Sequence, residues 1–167
     1  MKRILFVFTF IIIVSSSLRA QDKAANSTNI SLGLEGSFPV GVFSNGYSFG
    51  IGGTFQVDHK ISSKAALTLN TGFIYYSLKS TAIGSNLGIV PLLGGVKYYV
   101  SPQVYLNGQL GAAFSTNTGG GTFFEYSPGL GFVVSKNIDA LIKYVGMSKA
   151  GGTLSSVGVR IAYTFGK

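Results

Sequence analysis

From residue 29 onward the chain alternates between apolar and polar positions. Leu106, Gly108, Leu110, Ala112 and Phe114 fall on one side of a period-two run; Tyr105, Asn107, Gln109, Ala113 and Ser115 fall on the other. The preceding run, 87–100, puts Val90, Leu92, Gly94, Val96 and Tyr98 on an uncharged side and Lys97 opposite. Only Ser101-Pro102-Gln103 separates the two runs, so they read as a hairpin of long strands. Each arm has about ten or more residues, against roughly 5–6 for an ordinary soluble strand, and about that many cross a bilayer at a tilt.

The same pattern predicts eight strands, near 29–39, 47–58, 65–78, 87–100, 104–115, 122–135, 138–146 and 154–166. The connections alternate in length. Those near 40–46, 79–86, 116–121 and 147–153 are longer and rich in Gly, Ser and Asn, whereas those at 59–64, 101–103 and 136–137 are shorter. Long external loops and short periplasmic turns are the habit of outer-membrane barrels, and an even strand number with both termini periplasmic puts the longer set outside. Pro91 and Pro128 fall inside predicted strands, where proline removes a ladder hydrogen bond, so a local bulge is expected at each.

Charge divides the faces. Glu35, Lys97, Glu125, Asp139, Lys143 and Arg160 each lie opposite the best apolar face of their segment, giving a balanced polar set of acids and bases. In the second and third segments Gln56 and Asn70 make the same division. Most mature aromatics, such as Phe38, Tyr47, Phe49, Phe73, Tyr75, Tyr98, Tyr163 and Phe165, sit on the apolar face near the strand ends, with aliphatic residues between them. Two aromatic girdles around an aliphatic belt fit a bilayer. The competing arrangement is a soluble lipocalin-like carrier, with the apolar set inside. Its polar face would be exposed to water, yet that face carries one charge or none on most strands, far short of a solvated surface.

Composition agrees. Charged residues are 11% of the chain, glycine numbers 24 and cysteine is absent, so there is no disulfide and no thiolate metal site. Residues 1–20 read as a signal peptide: Lys2 and Arg3, an apolar Ile4–Val14, then a cleavage region ending at Ala20. Residues 21–28 form a short polar periplasmic tail, and 29–167 the barrel. Of the net charge of +8, Lys2, Arg3 and Arg19 carry three, leaving a scattered +5 without the basic stripe that nucleic-acid binding needs.

Val90-Pro91-Leu92-Leu93, Lys97-Tyr98-Tyr99 and Ser101-Pro102 resemble the corresponding hairpin of the small Gram-negative outer-membrane β-barrel domain family, which includes OmpX-like and OmpW-like members of the porin family. The ending Tyr163-Thr164-Phe165 is similar to the aromatic final strand read by the barrel-assembly machinery, although Gly166-Lys167 follow it here. The resemblance spans 29–167 and implies an all-β, eight-stranded antiparallel up-and-down transmembrane barrel in the outer membrane, in contact with its lipids and lipopolysaccharide. A monomer is expected.

The interior of an eight-stranded barrel is just filled by side chains. The six charged residues are therefore expected to form a buried structural network, with Glu35 meeting Arg160 where the last strand closes on the first. An enzyme is not expected. His59, the lone histidine, falls in the predicted turn Asp58-His59-Lys60 with no nucleophile or metal-ligand set around it, and no cofactor is implied. The leading function is a structural or surface-interaction role, in which Lys79 and Lys149 could meet lipid phosphates. The alternative is a conduit or binder for small hydrophobic molecules, with Ile89, Leu93, Tyr99 and Tyr105 lining its pocket.

Overall fold

The computed structural model describes residues 27–165; the leader, most of the tail and Gly166-Lys167 lie outside the described residues. Eight strands follow one another: β1 (Thr28–Val40), β2 (Tyr47–Lys60), β3 (Ala65–Leu78), β4 (Leu87–Tyr99), β5 (Val104–Ser115), β6 (Thr122–Val133), β7 (Ile138–Lys149) and β8 (Gly152–Phe165). A four-residue helix, α1 (Phe43–Gly46), sits in the first loop. Each strand pairs antiparallel with the next, and β8 closes on β1. A walk perpendicular to the strands from Ile30 through Val57, Leu69, Gly94, Leu110, Tyr126, Gly146 and Ser155 returns at Val40, ten residues further along β1. That stagger fixes a strand tilt of roughly 35–45°.

The predicted strands are all present, with two differences in the connections. The hairpin between β7 and β8 is not a long loop: Met147, Ser148 and Lys149 pair with Leu154, Thr153 and Gly152. Only Ala150 and Gly151 turn, and Gly151, at φ +105°, takes a conformation that favours glycine. Alternation simply continues, since Met147 points inward and is buried like Val145 before it. At the other end β2 runs through Asp58 and His59 to Lys60, so these are strand residues and the turn is 61–64.

Neither proline makes a bulge. Around Pro91 the β3–β4 pairing resumes in the same register after a gap, and the β6–β7 pairing does the same around Pro128. Each proline instead keeps its place opposite the strand on its other side, Ala113 for Pro91 and Gly108 for Pro128. The missing N–H costs local ladder bonds without displacing the strand. The irregularity lies elsewhere, between Tyr47 and Phe49. It reverses the parity of the strand end, so Tyr47 turns inward against the core instead of outward as its spacing predicts.

Elsewhere the faces divide as the alternation requires. Ile30, Leu32, Leu34, Ile51, Leu69, Leu110, Ile142 and Ile161 form an exposed aliphatic belt. Phe38 and Phe49 meet edge-on at the loop end (5.2 Å between centroids), and Tyr163 and Phe165 do so at the turn end (5.0 Å). The polar residues point into the barrel. This arrangement is the reverse of a soluble lipocalin-like carrier. So continuous an apolar exterior is stable only against lipid, where a closed wall leaves no unpaired edge. A lysine at Leu110, midway along β5, is therefore expected to lower stability by about 2–4 kcal/mol in a bilayer. Urea unfolding in vesicles measures this, and an unchanged midpoint would mean that the belt is not in lipid.

Candidate functional site

The inward side chains form two zones. In the half nearer the turns, Lys97 Nζ lies 2.6 Å from the Asp58 carboxylate and 4.5 Å from the centre of the Tyr105 ring. The Tyr105 hydroxyl donates to Asp139 at 2.6 Å. Arg160 reaches the same carboxylate at 3.8 Å and donates to Thr54 at 2.8 Å and Ser31 at 3.0 Å. Gln56 donates to Asp58 at 2.7 Å, while its own oxygen accepts from Asn70 and Gln109, both at 3.2 Å. Higher up, Lys143 pairs with Glu35 at 2.9 Å. All these groups are buried, and cross-linking by charge-assisted bonds offsets the cost of taking them out of water.

The six charges singled out in the sequence are thus all inside, but their pairing differs from the expectation. Glu35 and Arg160 stand directly opposite each other in the β1–β8 ladder, yet Glu35 takes Lys143 and Arg160 takes Asp139. The reason lies in two inward glycines. Arg160 lies back over Gly33, where a Cβ would sit 2.6 Å from Nε; Lys143 passes over Gly158, where a Cβ would sit 3.2 Å from Cε. Each long cation leans along a groove left by a missing side chain and finds an acid on another strand. Glu125 is buried without an ion pair among the described residues.

Asp58 is the inward acid that the sequence reading does not single out, because it stands at the very end of the expected strand 47–58, where the turn Asp58-His59-Lys60 begins. Extending the Thr54, Gln56 parity by one step would have placed it inside. With Asp58 included, the described interior holds four acids (Glu35, Asp58, Glu125, Asp139) and three bases (Lys97, Lys143, Arg160). His59, next to it, faces out and hydrogen-bonds Thr28 Oγ1 at 3.0 Å. Among the described residues no group of three or more His, Cys, Asp or Glu is arranged to hold a metal.

The half nearer the loops holds most of the buried apolar side chains, together with Glu125 opposite Met147 and a Ser37 hydroxyl within 3.0 Å of the Tyr76 hydroxyl and 2.9 Å of Ser156. Ile74, Tyr76, Leu87, Ile89, Ala113, Val145 and Met147 form one buried cluster. Its uppermost member is Phe43 of α1, a loop residue that is only 2% exposed, with its ring 5.1 Å from Tyr47 and 5.0 Å from Tyr76. Nothing in the local spacing marked Phe43 as a core residue. The four residues expected to line a hydrophobic pocket are not brought together. Ile89 belongs to this loop-end cluster and Leu93 lies mid-strand, whereas Tyr99 and Tyr105 meet at the turn end with tilted rings, their centres 5.6 Å apart. Tyr99 borders a basin of about 600 Å³ at the turn end, lined by Lys60, Lys64, Val100, Pro102 and Val133 among others, to which Ile89, Leu93 and Tyr105 do not contribute. Lys149 does not hang free in its loop but donates to the Gly120 carbonyl at 2.8 Å.

No family model matches the sequence, and no curated relative does. Solved structures do. The attachment invasion locus protein Ail of Yersinia pestis is 18% identical, with a TM-score of 0.59 over 84% of this chain and 99% of that one. The N-terminal β-barrel domain of Pseudomonas aeruginosa OprF is 13% identical, with a TM-score of 0.57 over 82% and 97%. The chain has the fold of the eight-stranded outer-membrane β-barrels. Neisserial surface protein A is a further match, at 12% identity and a TM-score of 0.53 over 82% and 95%. The apolar exterior described above is the surface by which a barrel of this outer-membrane fold sits in its bilayer.

Proposed function

We propose that this outer-membrane barrel is a non-enzymatic protein with a structural or surface-interaction role, its interior filled by side chains rather than open as a pore. The observation that carries the reading is the continuity of buried groups along the axis, from the Asp58–Lys97 pair through Glu35–Lys143 to Phe43. A barrel spanned by such a network conducts poorly and resists unfolding. Its partners are the outer-membrane lipids and lipopolysaccharide, with the assembly machinery during biogenesis, and it works as a monomer without nucleic acid. The turn end faces the periplasm. The loops at 41–46, 79–86 and 116–121 are the surface available to an outside partner. One neighbour in fold is an attachment invasion locus protein and another a surface protein, which favours a surface role.

The alternative, a conduit for small hydrophobic molecules, draws support from the apolar loop-end half alone. Its predicted lining is spread along the whole barrel, and Phe43 occupies the mouth. The test is envelope fractionation, gel migration unheated and boiled, and conductance in a planar bilayer. The expected result is an outer-membrane band that shifts on boiling and a bilayer record without steady open-channel current. A stable conductance would overturn the filled interior, and a soluble periplasmic protein without a shift would overturn the compartment.

A further inference from the structure

The described acids are all enclosed by the wall, so the charges left at its rims are lysines: Lys60, Lys64 and Lys136 at the turn end, Lys79 and Lys149 at the loop end. Lys60 and Lys64 have no acidic partner among the described residues, and both border the basin of about 600 Å³. Its remaining lining is divided in character. Ser63 and Ser101 are polar, while Tyr99, Val100, Pro102 and Val133 are apolar or aromatic. Tyr99 and Val133 come from the inward face, and Val100 is exposed on the outer one, beside the girdle residue Tyr98. The basin therefore joins the barrel mouth to the lipid-facing rim across the turn 100–103.

We propose that this basin binds the phosphate of an anionic phospholipid from the inner leaflet. Lys60 and Lys64 meet the phosphate as point charges, and the Tyr99, Val100, Pro102 and Val133 side takes the glycerol and the first methylenes. The basin lies at headgroup depth, one strand-end beyond the aromatic girdle, where a cation gains most from anionic lipid. No acid among the described residues competes for the two lysines. The inference rests on the outer-membrane reading, which sets the turn end toward the periplasm.

The test is retention of lipid by the full protein, reconstituted in phosphatidylcholine bilayers with or without phosphatidylglycerol and released into native mass spectrometry. The expected result is one retained phosphatidylglycerol. In K60A/K64A, retention falls by about 25-fold, the product of about fivefold for each lysine near an anionic surface. The loop-end pair K79A/K149A retains lipid like the parent. Inorganic phosphate titrated into zwitterionic micelles separates the two sources of the group. Saturation of the Lys60–Lys64 resonances by phosphate alone, with no preference for phosphatidylglycerol, would overturn the lipid assignment. So would equal retention by both double variants. A variant that still shifts on boiling yet loses lipid supports the site. A parent that shifts and retains none sinks the site and leaves the outer-membrane reading standing.

Discussion

Replacing Lys97 with methionine is expected to lower the unfolding free energy of the barrel by about 3–5 kcal/mol, the usual cost of breaking a buried pair. Lys97 and Asp58 are 2.6 Å apart and both buried within the wall. Without the ammonium, the Asp58 carboxylate keeps one described donor, the Gln56 amide at 2.7 Å, and an uncompensated charge remains in a medium that solvates it poorly. The Tyr105 ring also loses the cation that lies against it. The double variant Lys97→Met, Asp58→Asn removes the charge along with its partner and is expected to recover most of the loss, because a neutral amide can still pair with Gln56. Urea titration of the unheated gel band, for the two single variants and the double, measures the coupling. A Lys97→Met loss below about 1 kcal/mol, the range of solvated surface pairs, would show that water reaches the pair.

This network also shows where the sequence stops being informative. Which residues face inward was legible, because a period of two leaves a strand residue only two directions and one of them meets lipid. Parity places Glu35 and Arg160 on the inside, and strand order places them opposite each other, as the β1–β8 register has them. It does not say which acid each cation reaches. That choice depends on how a long side chain leans once inside, and the lean follows from gaps at Gly33 and Gly158 that belong to other stretches of the same wall. Asp58 was lost for a different reason. The cluster Asp58-His59-Lys60 is as polar as a turn, and the ladders to Thr68, Leu67 and Ala66 on one side and to Asn29 and Thr28 on the other mark it as strand. The β7–β8 hairpin is the same error at the other end of the barrel, small residues that read as a loop where the pairing runs nearly to the tip.

Truncating Phe43 to alanine is expected to cost about 3–5 kcal/mol, the range for a core phenylalanine, although it sits in a loop. The ring is 2% exposed and closes the apolar cluster against Tyr47 and Tyr76. Its neighbour Val42 is 77% exposed, so Val42→Ala should change stability by no more than about 0.5 kcal/mol, as surface substitutions usually do. The contrast between adjacent residues isolates burial from any general effect of altering the loop. Besides the Phe43 ring, α1 is tied to its surroundings by the backbone bond that Lys79 N–H donates to the Gly46 carbonyl at 2.8 Å. It has no side-chain cap and buries only Phe43, and Gly41 before it stands at φ +59°. Losing the ring should therefore free the segment as well as hollow the mouth, and limited proteolysis of intact vesicles should cut Phe43→Ala between Gly41 and Tyr47 while sparing Val42→Ala. Equal stability and equal cleavage of the two variants would mean that Phe43 does not close the barrel, and the apolar half would then be open to small hydrophobic molecules from outside.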